Sequence, residues 1–192
     1  MVKFIKENVI LIIAMMIAFS CIFMYNSTNV EGISMQSTLK SGDKLITDIY
    51  SKNYQRKDMV ILFADNKGQG FVASNLINTL FQVNYYKRMI YVKRIVGLPG
   101  EYVEMRNKDV IIYNNDNPNG MVLVESYAKK DWLCSDQGGI DRPSGNPTSS
   151  PKVQIPANSY FVMGDNRGCS KDSRMIGSIT SDSIIGRIVV KL

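Results

Sequence analysis

The chain has 192 residues, 45% of them apolar and 21% charged, which is room for one substantial domain, or a domain plus a membrane segment, and too apolar for a disordered chain. Its formal charge is 23 − 17 = +6, with the cations scattered among acids; this fits attraction to an anionic membrane surface and argues against nucleic acid as a partner. There is no histidine, which excludes a Ser-His-Asp triad, a Cys-His dyad and a His-ligated catalytic zinc.

Lys3 and Lys6 precede an apolar run from Val9 to Tyr25 that carries no formal charge. As a helix the run spans roughly 26 Å, close to the ~30 Å hydrocarbon core of a bilayer. The lysines before it and Glu31 after it place the N-terminus in the cytoplasm and the rest outside. The expected organisation is a cytoplasmic stub and single-pass anchor over residues 1–30 and an extracytoplasmic domain over 31–192. A cleaved leader, including a lipoprotein type suggested by Ala18-Phe19-Ser20-Cys21, is the competing reading. The apolar run continues through Ile22, Phe23 and Met24 with no clean small-x-small site, which favours an uncleaved anchor. A buried core helix is disfavoured because the run is apolar on every side.

Gly32-Ile33-Ser34-Met35-Gln36-Ser37-Thr38-Leu39 follows, closed by Lys40-Ser41-Gly42-Asp43. Ser34 sits among small, turn-prone residues just beyond the apolar run. It is either a loop serine or a nucleophile, and the second reading needs a base from elsewhere in the chain.

Short β-rich segments then alternate with turns. Lys44 to Tyr50, Asp58 to Phe63, Tyr91 to Gly97, Tyr102 to Met105, Val110 to Tyr113, Met121 to Tyr127, Val153 to Ile155, Tyr160 to Met163 and Ile184 to Val190 read as strands. Phe71 to Phe81 has apolar residues at helical spacing and reads as a short amphipathic helix that packs on the domain or lies on the bilayer. Lys129 to Pro151, rich in Gly, Pro, Ser and Asp, reads as a long surface loop. The fold expected is mostly β: a coiled or barrel-like antiparallel sheet domain after one transmembrane helix.

Without histidine, the best base for Ser34 is a lysine held in an apolar strand. Lys93 lies between Tyr91-Val92 and Ile95-Val96 and shares its face with Tyr91 and Ile95, while Arg94 faces the other way. The alternative is a surface lysine with its stem laid on the sheet. A free lysine amine, with a pKa of about 10.4, is neutral in only about one copy in two thousand at pH 7. Burial in an apolar pocket lowers that pKa, at a cost of roughly 1.4 kcal/mol for each tenfold gain in the neutral form.

The third informative stretch is Gly164-Asp-Asn-Arg-Gly-Cys-Ser-Lys-Asp-Ser-Arg174. Asp165, Asp172, Arg167 and Arg174 can hold such a loop rigid by charge-assisted hydrogen bonds. A calcium loop is disfavoured by the few acids and by the arginines, and no metal is expected. Cys21, Cys134 and Cys169 show no metal-ligand spacing; Cys21 reads as a small hydrophobe, and whether Cys134 and Cys169 pair is left open.

Together these stretches resemble the type I signal peptidases, membrane-anchored serine proteases with a Ser/Lys dyad. The resemblance covers most of the chain and rests on four motifs in order. Gly32-Ile-Ser34-Met35 with Thr38-Leu39 is similar to the nucleophile box, Asp58 to Phe63 to the strand box after it, Tyr91-Val-Lys93-Arg to Glu101 to the general-base box, and Gly164 to Arg174 to the final box. The resemblance implies that Ser34 attacks the scissile carbonyl and Lys93 takes its proton. It further implies that Ser170 hydrogen-bonds the lysine, that Asp172 and Arg174 brace the loop, and that Gly32 and Met35 flank the nucleophile. Substrates would be the signal peptides of exported preproteins, cut after small residues; no cofactor is implied, the lipid bilayer is the setting, and a monomer is expected.

Three departures stand out. Gly32 replaces a serine whose hydroxyl completes the oxyanion hole in some members, so the Ser34 backbone N–H would carry more of that role; glycine there points to a Gram-positive type. Ser37 stands where proline is usual, which is expected to loosen the turn. Gly168-Cys169 replaces Asp-Asn, which removes polar groups and adds a thiol near the site. These departures motivate a second reading, a non-catalytic relative that assists assembly of a surface structure. A self-cleaving repressor with a similar dyad is disfavoured, because the anchor stands where a DNA-binding region would have to be.

Overall fold

The computed structural model describes residues 8–9, 11–16, 25–63, 90–130, 134 and 147–192. The apolar run is described at residues 9 and 11–16, which are helical, and at Tyr25, where the first strand begins. Among the described residues no helix is long and apolar enough to cross a membrane. The helix expected over Phe71 to Phe81 lies outside the described residues.

The protein is mostly β, as its alternating segments lead one to expect. Strands β1 (Tyr25–Asn29), β2 (Lys44–Asp48), β3 (Met59–Phe63), β4 (Ile90–Gly97), β5 (Tyr102–Arg106), β6 (Asp109–Tyr113), β7 (Met121–Val122), β8 (Ser150–Gln154), β9 (Ser159–Met163), β10 (Ile179–Thr180) and β11 (Ile184–Lys191) form two antiparallel sheets. The larger runs β1-β2-β11-β3-β4-β9-β10 and the smaller β7-β6-β5-β8. One short helix, α1 (Ser173–Ile176), follows the last polar loop.

The expected strand from Met121 to Tyr127 is cut short. Only Met121–Val122 is strand; the Leu123 N–H still donates to Val110 of β6, and the chain then turns away until the Lys129 backbone bonds to Asp165 and Arg167.

Continuous apolar strands are those buried on both faces. In β3, Val60 and Leu62 enter one core with Tyr91, Ile95, Val162 and Ile184, while Ile61 points into another with Met35, Leu39 and Leu45. In β9, Tyr160 and Val162 face the first of these cores. Phe161 and Met163 face a third, shared with Val103, Met105 and Ile112 of the smaller sheet. β4 and β9 thus carry cores on either side, and both the lysine-bearing strand and the strand leading into the last loop are fixed by packing.

Candidate active site

The Gly32 to Leu39 stretch leaves β1 and turns over the core, anchored by the buried Met35 and Leu39. Gly32 has φ +86°, a left-handed conformation natural to glycine, so the backbone can swing into the turn that presents Ser34. β4 supplies Lys93, which is only 2% exposed. Its Nζ lies 2.9 Å from Ser34 Oγ and also donates to the Val92 carbonyl at 3.1 Å. The Tyr91 ring, 4.7 Å from the same Nζ, closes another side. The lysine is therefore not a surface residue with its stem on the sheet.

The last loop pins the nucleophile turn through main-chain contacts. The Asn166 N–H donates to the Ser34 carbonyl at 3.0 Å, and the Asn166 side-chain amide donates to the Ile33 carbonyl at 3.1 Å. Gly164 lies against this junction. A Cβ there would overlap both the Ser34 carbonyl and the fully buried Ser170 side chain, so the close approach needs glycine. Among the described residues, the Ser34 N–H donates to no backbone carbonyl.

Asp172 caps α1, accepting from the Arg174 N–H, and receives two further bonds from the Arg174 guanidinium at 2.8 and 2.7 Å and one from the Gly164 N–H at 2.9 Å. Burial pushes its carboxyl up, but Arg174, the Gly164 N–H and Ser170 outweigh that and hold it below the ordinary aspartate range. Asp172 and Arg174 thus tie the start of α1 to the Gly164 backbone.

Two further charged residues of the loop, Asp165 and Arg167, reach outside it rather than pairing within it. Asp165 is gripped by Arg94 at 2.8 and 2.7 Å and accepts from the Thr38 hydroxyl at 2.5 Å. Arg94 is therefore buried in the site rather than facing away from it. Arg167 is fully buried and pairs with the equally buried Glu125 at 2.8 and 2.5 Å. Tyr127 donates to Glu125 at 3.0 Å and lies under the Arg94 guanidinium, 4.1 Å from its ring centre. Burial, followed by the Glu125 charge and hydrogen bond, pushes the Tyr127 phenol up, so it stays a donor.

Glu125 and Tyr127 were not singled out from sequence, and Thr38 and Asn166 entered only as members of their motifs, with no role of their own. The one available signal was Glu125, a lone acid in an apolar segment. Breaking one of these buried pairs costs about 3–5 kcal/mol, so the pairs make the loop's placement hard to alter.

Two departures take a different form from that expected. Ser37 does not loosen the turn: it sits at φ +95°, which a proline ring cannot adopt, and its hydroxyl donates to the Tyr127 carbonyl at 2.9 Å. Cys169 is not a free thiol, because it is joined to Cys134 in a disulfide. Among the described residues no group of three or more His, Cys, Asp or Glu is placed to hold a metal ion.

A family model described as "Signal peptidase, peptidase S26" matches residues 1–192. Signal peptidase IB of Staphylococcus aureus is 31% identical across 95% of this chain and 88% of its own. Signal peptidase I P of Bacillus subtilis subsp. natto is 31% identical across 85% of this chain and 74% of its own. A crystal structure of a signal peptidase I from Enterococcus faecalis aligns with a TM-score of 0.43 at 25% identity, covering 71% of this chain and 97% of that one.

Proposed function

Since the chain belongs to the signal peptidases of peptidase family S26, serine endopeptidases that cleave signal peptides, we propose that it does so with Ser34 as nucleophile and Lys93 as general base. The observation that carries this reading is the 2.9 Å contact between Lys93 Nζ and Ser34 Oγ, made by a lysine removed from solvent. Enclosure favours the neutral amine over the ammonium. In that form the contact reverses, with the Ser34 O–H donating to Nζ.

The serine oxygen then adds to the scissile carbonyl carbon as Lys93 takes its proton. The carbonyl oxygen becomes an oxyanion, and the Ser34 N–H is the donor placed for it, since Gly32 offers no hydroxyl. Lys93 passes its proton to the departing amine, leaving an acyl ester on Ser34. Water, deprotonated by the same amine, attacks that ester and frees the serine. Ser170 would hydrogen-bond and orient the Lys93 amine, with Asp172 and Arg174 holding its loop. Met35 and Gly32 shape the turn on either side of the nucleophile.

The substrates proposed are the N-terminal signal peptides of exported preproteins, cut at the outer face of the membrane by a monomer. Residues 1–30 would form the cytoplasmic stub and anchor, and 31–192 the extracytoplasmic peptidase domain. The large apolar side chains of Leu11, Ile13, Met15 and Met16 are exposed, which suits a lipid surrounding.

The test is cleavage of a synthetic signal-peptide substrate in detergent by the wild type, Ser34→Ala and Lys93→Ala. Product from the wild type alone supports the dyad. Near-normal turnover by either variant overturns it, and an inactive wild type leaves the non-catalytic assembly role as the better reading.

A further inference from the structure

Residues 123–130 leave the smaller sheet after β7 and contact Ser37, Arg94, Asp165 and Arg167 around the site. Leu123 fixes one end, its N–H donating to the Val110 carbonyl at 2.8 Å and its side chain sitting in the core between the sheets. Glu125 holds Arg167, and the Tyr127 ring lies under Arg94. The Tyr127 carbonyl accepts the Ser37 hydroxyl. Lys129 donates its N–H to the Asp165 carbonyl at 2.8 Å and accepts from the Arg167 N–H at 3.2 Å. Further on, Cys134 is bonded to Cys169, the neighbour of Ser170.

The contacts therefore bracket the machinery. Ser37 lies just after the nucleophile and is tied to Tyr127, and Cys169 lies just before the serine of the last loop and is tied to Cys134, a little further along the sequence. Ser37 occupies a left-handed conformation that is unfavourable for any residue but glycine, so its surroundings must impose it. The Tyr127 carbonyl is one group that does so.

We propose that residues 123–130 and the Cys134–Cys169 bond form a strap that positions Ser34 and Ser170 for turnover, and that a small dithiol opens the strap and lowers kcat. The proposal rests on the Ser34–Lys93 reading. Chemically, a thiolate of the dithiol attacks the sulfur of Cys134, the partly exposed member, and Cys169 leaves as a thiolate that is then protonated. The second thiol of the reagent closes onto the mixed disulfide and releases Cys134. The protein disulfide gains two electrons and two protons, and the dithiol loses them as it becomes a cyclic disulfide.

The experiment uses the full chain in detergent with a fluorogenic signal-peptide substrate. It is run before and after dithiothreitol, with the freed thiols counted by alkylation and mass, and again after reoxidation with glutathione disulfide. Misplacing reacting groups by about 1 Å can cost up to about a hundredfold. Reduction is accordingly expected to lower kcat about tenfold with KM within about twofold, reversibly. Cys134→Ala should start at the lowered rate and ignore dithiothreitol. Ser37→Ala should lower kcat several-fold, and Ser37→Asn, which keeps a donor and tolerates a left-handed backbone, should recover part of it.

A fully reduced enzyme that keeps its kcat, or loses thermal stability alone, overturns the strap, as does a Ser37→Ala variant with wild-type turnover. Ser34→Ala in the same assay separates the two failures. If that variant still cleaves, the dyad is wrong; if cleavage depends on Ser34 yet ignores reduction, the strap alone is wrong.

Discussion

The surroundings of the site and the smaller sheet use charge in opposite ways. Around the larger sheet, Arg94–Asp165, Arg167–Glu125 and Arg174–Asp172 are buried, and each carboxylate accepts more than one hydrogen bond. On the smaller sheet, Lys130–Asp109 lies in solvent and Arg106–Glu104 is open on the arginine side. Exposed pairs contribute little, because water and salt screen them and long side chains lose freedom to make them. Buried pairs add little net stability either, but each is costly to break from one side, so they fix geometry. The smaller sheet joins the larger through a shared apolar core, and the buried pairs position the loops of the site.

The deepest break is at the dyad. Ser34→Ala or Lys93→Ala should lower single-turnover cleavage by about 10⁴-fold or more, and the double variant should be no worse than either alone, since the groups act as a unit. Gly164→Ala comes next. Its added methyl meets the Ser34 carbonyl and the Ser170 side chain, and turnover should fall by up to about a hundredfold, as expected for a displaced reacting group.

Glu125→Ala strands a buried guanidinium and should cost about 3–5 kcal/mol in denaturant unfolding. Asp109→Asn on the smaller sheet should change the same measurement by less than about 1 kcal/mol. Equal effects from these two would erase the contrast between the buried pairs of the site and the exposed pairs of the smaller sheet.

Asp172 sharpens the comparison through pH. Its carboxyl is held below its unfolded value, so its contribution to stability is complete above the ordinary aspartate range and is lost as pH falls through the lowered folded value. Urea midpoints taken from neutral to acid pH should therefore fall, and Asp172→Asn should remove part of that slope. A variant with an unchanged slope would show that the carboxylate is not linked to folding.

The strands were legible because apolar runs buried on both faces and alternating runs leave plain patterns, as in β3 and β4. The lysine was legible for a different reason: the chain has no histidine, and Lys93 stands in an apolar strand that a surface lysine would not need. Arg94 was not, since alternation puts it on the face opposite Lys93 and gives no sign that its guanidinium closes on Asp165. The segment after β7 reads as strand because it is apolar and β-prone. Past Leu123 its ties to Ser37, Asp165 and Arg167 are distant in sequence, which no local pattern encodes. Ser37 is a similar case, its conformation set by its tie to Tyr127 rather than by its own preference.

The ties at Ser34 also have a consequence for how the chain folds. Lys93 is 59 residues from Ser34, the Ser37–Tyr127 contact spans 90, and the Asp165 and Asn166 contacts span 127 and 133. Closing loops of that length sacrifices chain entropy before any bond returns it, so such contacts form late. The nucleophile turn is synthesised early and waits unbraced until the final third of the chain has emerged and docked. A newly made copy is therefore silent as a protease until its folding is nearly complete.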